Sequence, residues 1–458
     1  AKALQLAAQG IYKLVYVAPE RLESPAFQAF AASADISMLT VDEAHCISQW
    51  GQDFRPSYLR ILDFIDTLPK RPIVSAFTAT ATREVKDDIA ETLRLQDPEI
   101  VITGFDRPNL YYRVEPTRRK DAFVADYVRS HPGESGIIYC ATRKNVDAVR
   151  EMLQDEGIAA ARYHAGMTNE ERRQSQNDFI YDTAPVIVAT NAFGMGIDKS
   201  NVRYVIHYNM PQSMENYYQE AGRAGRDGLP SQCILLFSPQ DIMINRFLLE
   251  HKEVDDLDDE AAELLRERDN QRLQAMANYC QTTGCLRNYI LRYFGEEPAA
   301  PCGSCGNCDR VYAETDMTAQ AKWMINCVAE THGRYGKGVV LNTLRGANMA
   351  RLRELGAMDY RSYGKLKDCT REELNCLLAQ LLEDGYLIQT DDQYAVLRMG
   401  NITPLKQVAQ VLVKLPPKVE PADAAPQKRK ASKAAQKGKG GLTGDGAALF
   451  EQLRALRM

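Results

Sequence analysis

The chain has no apolar run long enough to cross a bilayer, which takes about 20 residues, and no secretory signal peptide. It begins at Ala1, without a methionine and inside a helical pattern; it is expected to be a fragment, so the missing targeting signal carries no weight. It also lacks any overall basic charge. The 56 Lys and Arg stand against 61 Asp and Glu, leaving −5, so any nucleic-acid surface must be local. Tryptophan is scarce, with Trp50 and Trp323 alone. The 11 cysteines form no disulfide framework. One tight cluster and seven scattered thiols are metal-site usage in a reducing compartment. What is present is ordinary globular composition, 45% hydrophobic and 26% charged, over 458 residues, enough for three or more domains.

Residues 36–41 are apolar and β-branched and read as a short buried strand of a parallel sheet. Val41-Asp42-Glu43-Ala44-His45 then places two carboxylates at its end, where open α/β sheets hold ligands. In a phosphoryl-transfer site Asp42 would hold Mg²⁺, usually through water. Glu43 would orient or deprotonate the attacking water. Four residues make a weak motif, equally at home on a solvated face, and the flanking sequence decides. Upstream, residues 14–17 read as a strand that Pro19 stops, and Pro19-Glu20-Arg21 is either a phosphate contact or a charged loop. Downstream, Trp50 shares a Gly- and Pro-punctuated loop with Phe54 and Arg55. Such a loop suits stacking on bases and phosphate contact, or pins itself on the core. Residues 73–77 form another strand, ending in Thr78-Ala79-Thr80-Ala81-Thr82. Small hydroxyl residues there can relay between a nucleotide site and a neighbouring domain, and also cap the helix expected over 83–93. Phe105-Asp106-Arg107-Pro108-Asn109 breaks the pattern and marks a domain boundary.

A second α/β unit follows, with strands over 136–140, 160–164, 186–190 and 202–208 and helices over 143–156 and 170–179. This alternation argues for a parallel, doubly wound sheet. Past it, Gln219-Glu220-Ala221-Gly222-Arg223-Ala224-Gly225-Arg226 spaces two arginines by glycines. Such a turn can approach a triphosphate, and one arginine can neutralise charge as the γ-phosphoryl group leaves; an exposed basic turn is the plainer reading. Cys285, Cys302, Cys305 and Cys308 have C-x₁₆-C-x₂-C-x₂-C spacing, which closes a tetrahedral Zn²⁺ site. With no histidine or carboxylate among them the site reads as structural, and Cys280 is a possible substitute for Cys285. Helices over 319–331 and 372–383, then a hairpin from 385–388 and 394–397, suit a winged helix or a plain scaffold. The second helix carries a stripe of Leu374, Leu377, Leu378, Leu381 and Leu382. Residues 414–443, rich in Pro, Ala and Lys around Lys428-Arg429-Lys430, read as a flexible linker.

In this order the motifs resemble those of superfamily 2 helicases, and of the RecQ family in particular. The resemblance implies two RecA-like domains that clasp ATP with Mg²⁺, with single-stranded DNA across their top. It implies a 3′-to-5′ DNA helicase of repair and recombination in the bacterial cytoplasm or nucleoid, acting on single-stranded and partly duplex DNA. Asp42 and Glu43 would be the Mg²⁺ and water residues, and His45 would couple hydrolysis to DNA. Gln49, Trp50, Phe54 and Arg55, with Thr78, Thr80 and Thr190, would face nucleic acid. Gln219, Arg223 and Arg226 would face the nucleotide from the second domain, joined by Gly196 and Asp198. Cys285 is preferred over Cys280 because its spacing and the Tyr293-Phe294-Gly295-Glu296 that follows match the RecQ zinc module. Residues 338–346 resemble the RecQ C-terminal domain, and 356–360 depart from its usual pattern.

The expected architecture is α/β: two RecA-like parallel-sheet domains, the first incomplete, then a helical zinc module and a winged-helix domain. Its boundaries are 1–106, 107–240, 241–315 and 316–413, followed by the linker 414–443 and, over 444–458, the start of an HRDC module. One departure matters. The string GxxxxGK[ST] occurs nowhere; Gly336-Lys337-Gly338 and Gly438-Lys439-Gly440 lack its spacing and its hydroxyl. Without that loop's N–H groups and lysine there is no cradle for the β- and γ-phosphates. The gene product is expected to be an ATPase and this chain alone to be inactive. The rivals are an RNA helicase, which shares the Asp-Glu-Ala-His string, and a non-catalytic DNA-binding fragment.

Overall fold

The computed structural model describes residues 2–48, 54–194, 199–251, 259–310, 313–390, 396–402 and 410–415. Near the N-terminus β1 (Met38–Val41) runs parallel to β2 (Ile73–Ala76), with Val41 opposite Ala76. Helices Pro25–Ser33, Pro56–Thr67 and Arg83–Thr92 cover the pair. Phe27, Val41, Ile47, Phe64, Ile65 and Val85 form their core. Thr82 caps the third helix, its Oγ1 accepting from Val85 N at 3.5 Å, as its position before the helix predicts.

Two expectations fail here for one reason. The strand expected buried is fully buried only at Val41: Met38 is 54% and its partner Ile73 71% exposed. Residues 14–17 form no strand, and Leu14 and Tyr16 lie open to solvent at 75% and 93%. β-propensity expresses packing and pairing with neighbours rather than an intrinsic backbone state. Among the described residues this sheet has two strands, so neither segment has the neighbours that its composition suits.

The second α/β unit is complete. Strands β3 (Leu110–Pro116), β4 (Ser135–Tyr139), β5 (Ala160–Tyr163), β6 (Val186–Ala189), β7 (Val202–His207) and β8 (Ser231–Phe237) form one sheet in the order β3-β8-β7-β4-β6-β5. Every pairing is parallel. The four inner and edge strands β4 to β7 match the expected segments within one or two residues. Strands β3 and β8 extend the sheet beyond them. One face packs Val124, Val146, Leu153 and Ile206 under helices Lys120–Ser130 and Arg143–Asp155. The other carries Tyr112, Phe179, Phe193 and Tyr217. Lys120 and Asp241, both buried, pair at 2.8 Å and tie the first covering helix to helix Pro239–Glu250.

Helices Asp259–Gln281 and Leu286–Tyr293 extend that second core: Met276, Tyr279, Ile290 and Phe294 belong to the same cluster as Tyr112 and Tyr217. A separate core lies C-terminal to it, built by helices Thr318–Glu330, Lys337–Leu344 and Arg371–Glu383. Around it β9 (Ala313–Asp316) pairs with β12 (Leu412–Leu415), and β10 (Leu387–Gln389) with β11 (Leu397–Met399), all antiparallel. Strand β10 starts two residues later than expected because Gly385, at φ 71°, ends the preceding helix, and residues 394–395 of the expected second strand lie outside the described residues. A left-handed glycine is the usual way to turn the chain out of a helix. Lys414 and Leu415, expected to open the linker, instead end β12, where they pair with Glu314 and Ala313; the rest of the linker and the 444–458 segment lie outside the described residues.

Gly136 in β4 lies under Tyr204 of β7; a Cβ there would fall 1.9 Å from the tyrosine ring. Gly136→Ala should therefore destabilise the six-stranded unit by roughly 1–3 kcal/mol, read as a lower denaturation midpoint in urea. An unchanged midpoint would mean that the sheet opens to admit the methyl group without cost.

Candidate active site and metal centre

The ends of β1 and β2 are locked together by the backbone. Phe77 N donates to Val41 O at 2.8 Å and Ala44 N to Phe77 O at 2.9 Å. Between them Glu43 is held at φ 48°, ψ 45°, a left-handed conformation that non-glycine residues rarely adopt and that clusters at functional sites. Asp42 is exposed, and its Oδ1 accepts from Glu43 N at 2.9 Å. His45 is buried, with Nδ1 3.3 Å from Glu43 Oε2 and 3.0 Å from Thr78 Oγ1. Thr78 Oγ1 accepts from Thr80 N at 3.3 Å. Thr80 Oγ1, nearly buried, accepts from Gln219 Nε2 at 3.0 Å. Five residues of the expected site thus form one path, from the carboxylate beside β1 to a helix on the six-stranded unit.

That helix, Met214–Ala221, is started by Ser213, whose Oγ accepts from Asn216 N at 3.1 Å. Glu220 points inward to His207 Nε2 at 2.9 Å, which leaves Gln219, one residue earlier, turned toward Thr80. Arg223 follows in the turn and donates from Nη1 to Gly194 O at 2.5 Å. A Cβ on Gly194 would lie 2.2 Å from the Arg223 guanidinium, so only glycine admits that approach. Arg226 is exposed. Burial pushes the Tyr139 hydroxyl up against the opposing pull of Arg223 and Arg226. The two arginines therefore share one neighbourhood at the end of β4.

The remaining expected residues are scattered. Thr190 ends β6, where its carbonyl accepts from Phe193 N at 3.0 Å, and is not part of the path. Phe54 is half-buried and Arg55 exposed, with Arg55 N bonded to Cys46 O at 3.0 Å. Gln49, Trp50, Gly196 and Asp198 lie outside the described residues. A cleft of about 400 Å³ also opens at the ends of β4 and β7, lined by Ala141, Asn191, Asn209, Ser213 and Asn216 among others. Asn209 Oδ1 accepts from Ala141 N at 3.1 Å. The signal for these residues was their place just past two legible strands; they carry no charge, and no motif drew notice to them.

The four cysteines converge. Ligand atoms of Cys285, Cys302, Cys305 and Cys308 all lie within 4.8 Å of one another, and Cys302 and Cys308 sulfurs are 3.9 Å apart. Four Zn–S bonds of about 2.3 Å in a tetrahedron require S···S separations near ~3.8 Å, so the donor set fits zinc. Backbone N–H groups point at the sulfurs: Ser304 N to Cys302, Cys302 N to Cys285 and Cys308 N to Cys305, at 3.3–3.4 Å. Burial raises the Cys302 thiol, but bonds from Ser304 N–H, Cys285, Arg287 and Cys305 outweigh it and bring the group down to about 7. A thiolate is thus accessible near neutral pH. Cys280 is buried in the apolar core instead, where desolvation pushes its thiol up.

Comparison with known proteins accounts for this series of units. Residues 1–88 match the DEAD/DEAH box helicase family and 119–228 the helicase conserved C-terminal domain. Residues 239–309 match RecQ zinc-binding and 312–419 the RQC domain. The chain belongs to the RecQ helicase family. Its fold is that of RecA-like helicase domains with the RecQ zinc-binding and winged-helix RQC domains. It is 43% identical over 393 residues to the ATP-dependent DNA helicase RecQ of Bacillus subtilis, covering 86% of this chain and 65% of that protein. It is 36% identical to the protein of the same name from Pasteurella multocida, covering 90% of this chain and 64% of that one. The chain therefore spans just under two thirds of these relatives. The ATP-dependent helicase wrn-1 of Caenorhabditis elegans is 36% identical over 82% of this chain and 37% of its own length.

For this RecQ-family chain the two candidate fourth ligands make different predictions. Cys305→Ser or Cys285→Ser should lower zinc from about one atom per chain to near none, because a structural site needs all four thiolates. Cys280→Ser should leave zinc unchanged. Metal analysis of the three purified variants checks both, and zinc loss in Cys280→Ser would reverse the assignment.

Proposed function

We propose that this chain carries the coupling machinery of an ATP-dependent 3′-to-5′ DNA helicase of DNA repair and recombination. We propose also that the chain by itself does not turn over ATP. The observation that carries the reading is the path that starts where Glu43 Oε2 lies 3.3 Å from His45 Nδ1 and runs on by hydrogen bonds from His45 through Thr78 and Thr80 to Gln219. Mg²⁺ bound with ATP would supply charge neutralisation at the phosphates. Asp42, exposed at the strand end, is placed to hold it through water. Glu43 would orient water, and His45 Nδ1 lies against both that carboxylate and Thr78 Oγ1. A change at Glu43 is then felt at Gln219, on the unit that also carries Arg223 and Arg226. Those two arginines would meet the phosphates from the opposite side.

DNA as the substrate is supported by the names of the relatives, and the polarity by family resemblance. Phe54 and Arg55, with Gln49 and Trp50 earlier in the same stretch of sequence, and the cleft at the ends of β4 and β7 would contact a single strand. The four-cysteine centre holds Zn²⁺ in a structural role. Inactivity of the chain alone is supported by the absence from its sequence of a GxxxxGK[ST] string, whose N–H groups and lysine cradle the β- and γ-phosphates.

Phosphate release from MgATP, with and without single-stranded DNA and beside an Asp42→Asn control, tests this. No turnover is expected, together with DNA binding that weakens steeply between about 50 and 200 mM salt as phosphate contacts are screened. DNA-stimulated turnover that Asp42→Asn abolishes would mean that a motor operates without the loop. Stimulation by RNA in preference to DNA would move the substrate assignment.

A further inference from the structure

Arg287 lies on the first turn of helix Leu286–Tyr293, beside the ligand Cys285, and is 5% exposed. A buried guanidinium needs its donors used, and the partners here are specific. Nη1 donates to Asp106 Oδ1 at 2.8 Å and to Arg107 O at 2.6 Å. Nη2 donates to Leu110 O at 2.7 Å and to Pro108 O at 3.4 Å. The turn that carries it is itself tied to the metal site, Asn288 N donating to the Cys285 sulfur at 3.5 Å. One turn therefore joins a metal ligand to the segment that leads from the N-terminal unit into β3.

The segment is gripped elsewhere too. Phe105 N donates to Glu296 Oε1 at 2.5 Å, and its ring stacks on Phe294 with centroids 4.4 Å apart. From its other side Arg107 reaches the turn that follows helix Met214–Ala221. Its Nη1 donates to Gly222 O at 3.3 Å and its Nη2 to Ala224 O and Gly225 O at 3.3 and 3.2 Å. Asn109 Nδ2 adds a bond to Gly225 O at 2.8 Å. These are carbonyls at a helix C-terminus, which lack partners within the helix. They bracket Arg223.

We propose that Arg287 is a positioning residue through which the four-cysteine centre fixes the 105–110 segment and, by way of Arg107, the turn that carries Arg223. Losing the metal lets Cys285 move, and with it the start of the helix that carries Arg287. The main-chain carbonyls of the segment then lose their donor, and Arg107 is no longer held against the turn. The consequence for catalysis rests on the reading of Arg223 as nucleotide-facing. The positional claim does not, so a test without nucleotide lets the two fail separately.

Hydrogen exchange of the zinc-loaded chain, with zinc content measured in parallel, is that test. In Arg287→Ala that keeps its zinc, amides of 105–110 and 222–226 should exchange about tenfold faster or more, while those of 305–309 stay within about twofold of wild type. Wild-type exchange at both segments would overturn the proposal. Arg107→Ala, remote in sequence from the cysteines, gives a second arm. In wild type a zinc chelator should speed exchange at both segments; in Arg107→Ala it should speed 105–110 and leave 222–226 unmoved. Equal acceleration of the turn in both proteins would overturn the proposal, even where Arg287→Ala cannot hold zinc.

Discussion

Tyr112, Tyr217 and Tyr279 meet in a layer from which water is excluded, between the six-stranded sheet and the helices of the zinc module. The Tyr279 hydroxyl donates to the Tyr217 hydroxyl at 3.2 Å, and burial raises all three phenols well above their ordinary values. Aromatic side chains bury roughly 150–250 Å² each, so this layer fixes the helix Met214–Ala221 more firmly than any polar contact on it. Gln219, Glu220 and the turn of Arg223 are presented by that helix. Their placement is therefore a consequence of a core shared between two units, one matched as a helicase domain and one as a zinc-binding domain. It also explains why a boundary drawn near residue 240 cuts sequence motifs apart but does not cut the core.

The same layer shows what could be read in the sequence and what could not. Strands β4 to β7 were legible because fully buried parallel strands are short, continuous β-branched runs between helical patterns. The four-cysteine centre was legible because its x₂ spacings and ligand chemistry are local. The N-terminal unit misled the reading, since residues 14–17 and Ile73 have strand composition but lack the pairing and cover that would bury them. The resemblance set Gln219 toward the nucleotide and Thr80 toward nucleic acid; their contact with each other was not foreseen, since no local pattern encodes a contact over 139 positions in the chain. Arg107 and Arg287 drew no notice for the same reason. Each is an ordinary charged residue in sequence, and its role comes from carbonyls supplied by distant segments.

Glu43 holds an uncommon backbone conformation, and His45 is buried beside it. Strain of this kind costs of order 1–3 kcal/mol and persists only where surrounding structure enforces it. Here the enforcement comes from the two backbone bonds through Phe77, on the strand end that also bears Thr78 and Thr80. Strain, carboxylate and path thus share one pair of loops. A displacement of the β2 loop moves Thr78 relative to His45 and Thr80 relative to Gln219 together.

Magnitudes decide what such a path can do. A neutral hydrogen bond such as Thr80 to Gln219 contributes about 0.5–1.5 kcal/mol net, a factor of roughly 2 to 13 in an equilibrium. That is too little to hold two domains shut, and too much to be lost without consequence. The buried aromatic layer, by contrast, is worth many such bonds. The six-stranded unit and the zinc module should therefore move as one body, while the contact with the N-terminal unit is the weak joint. A ligand that favours the joined state by a few kcal/mol shifts that equilibrium decisively, and no rearrangement of the shared core is needed for it to do so.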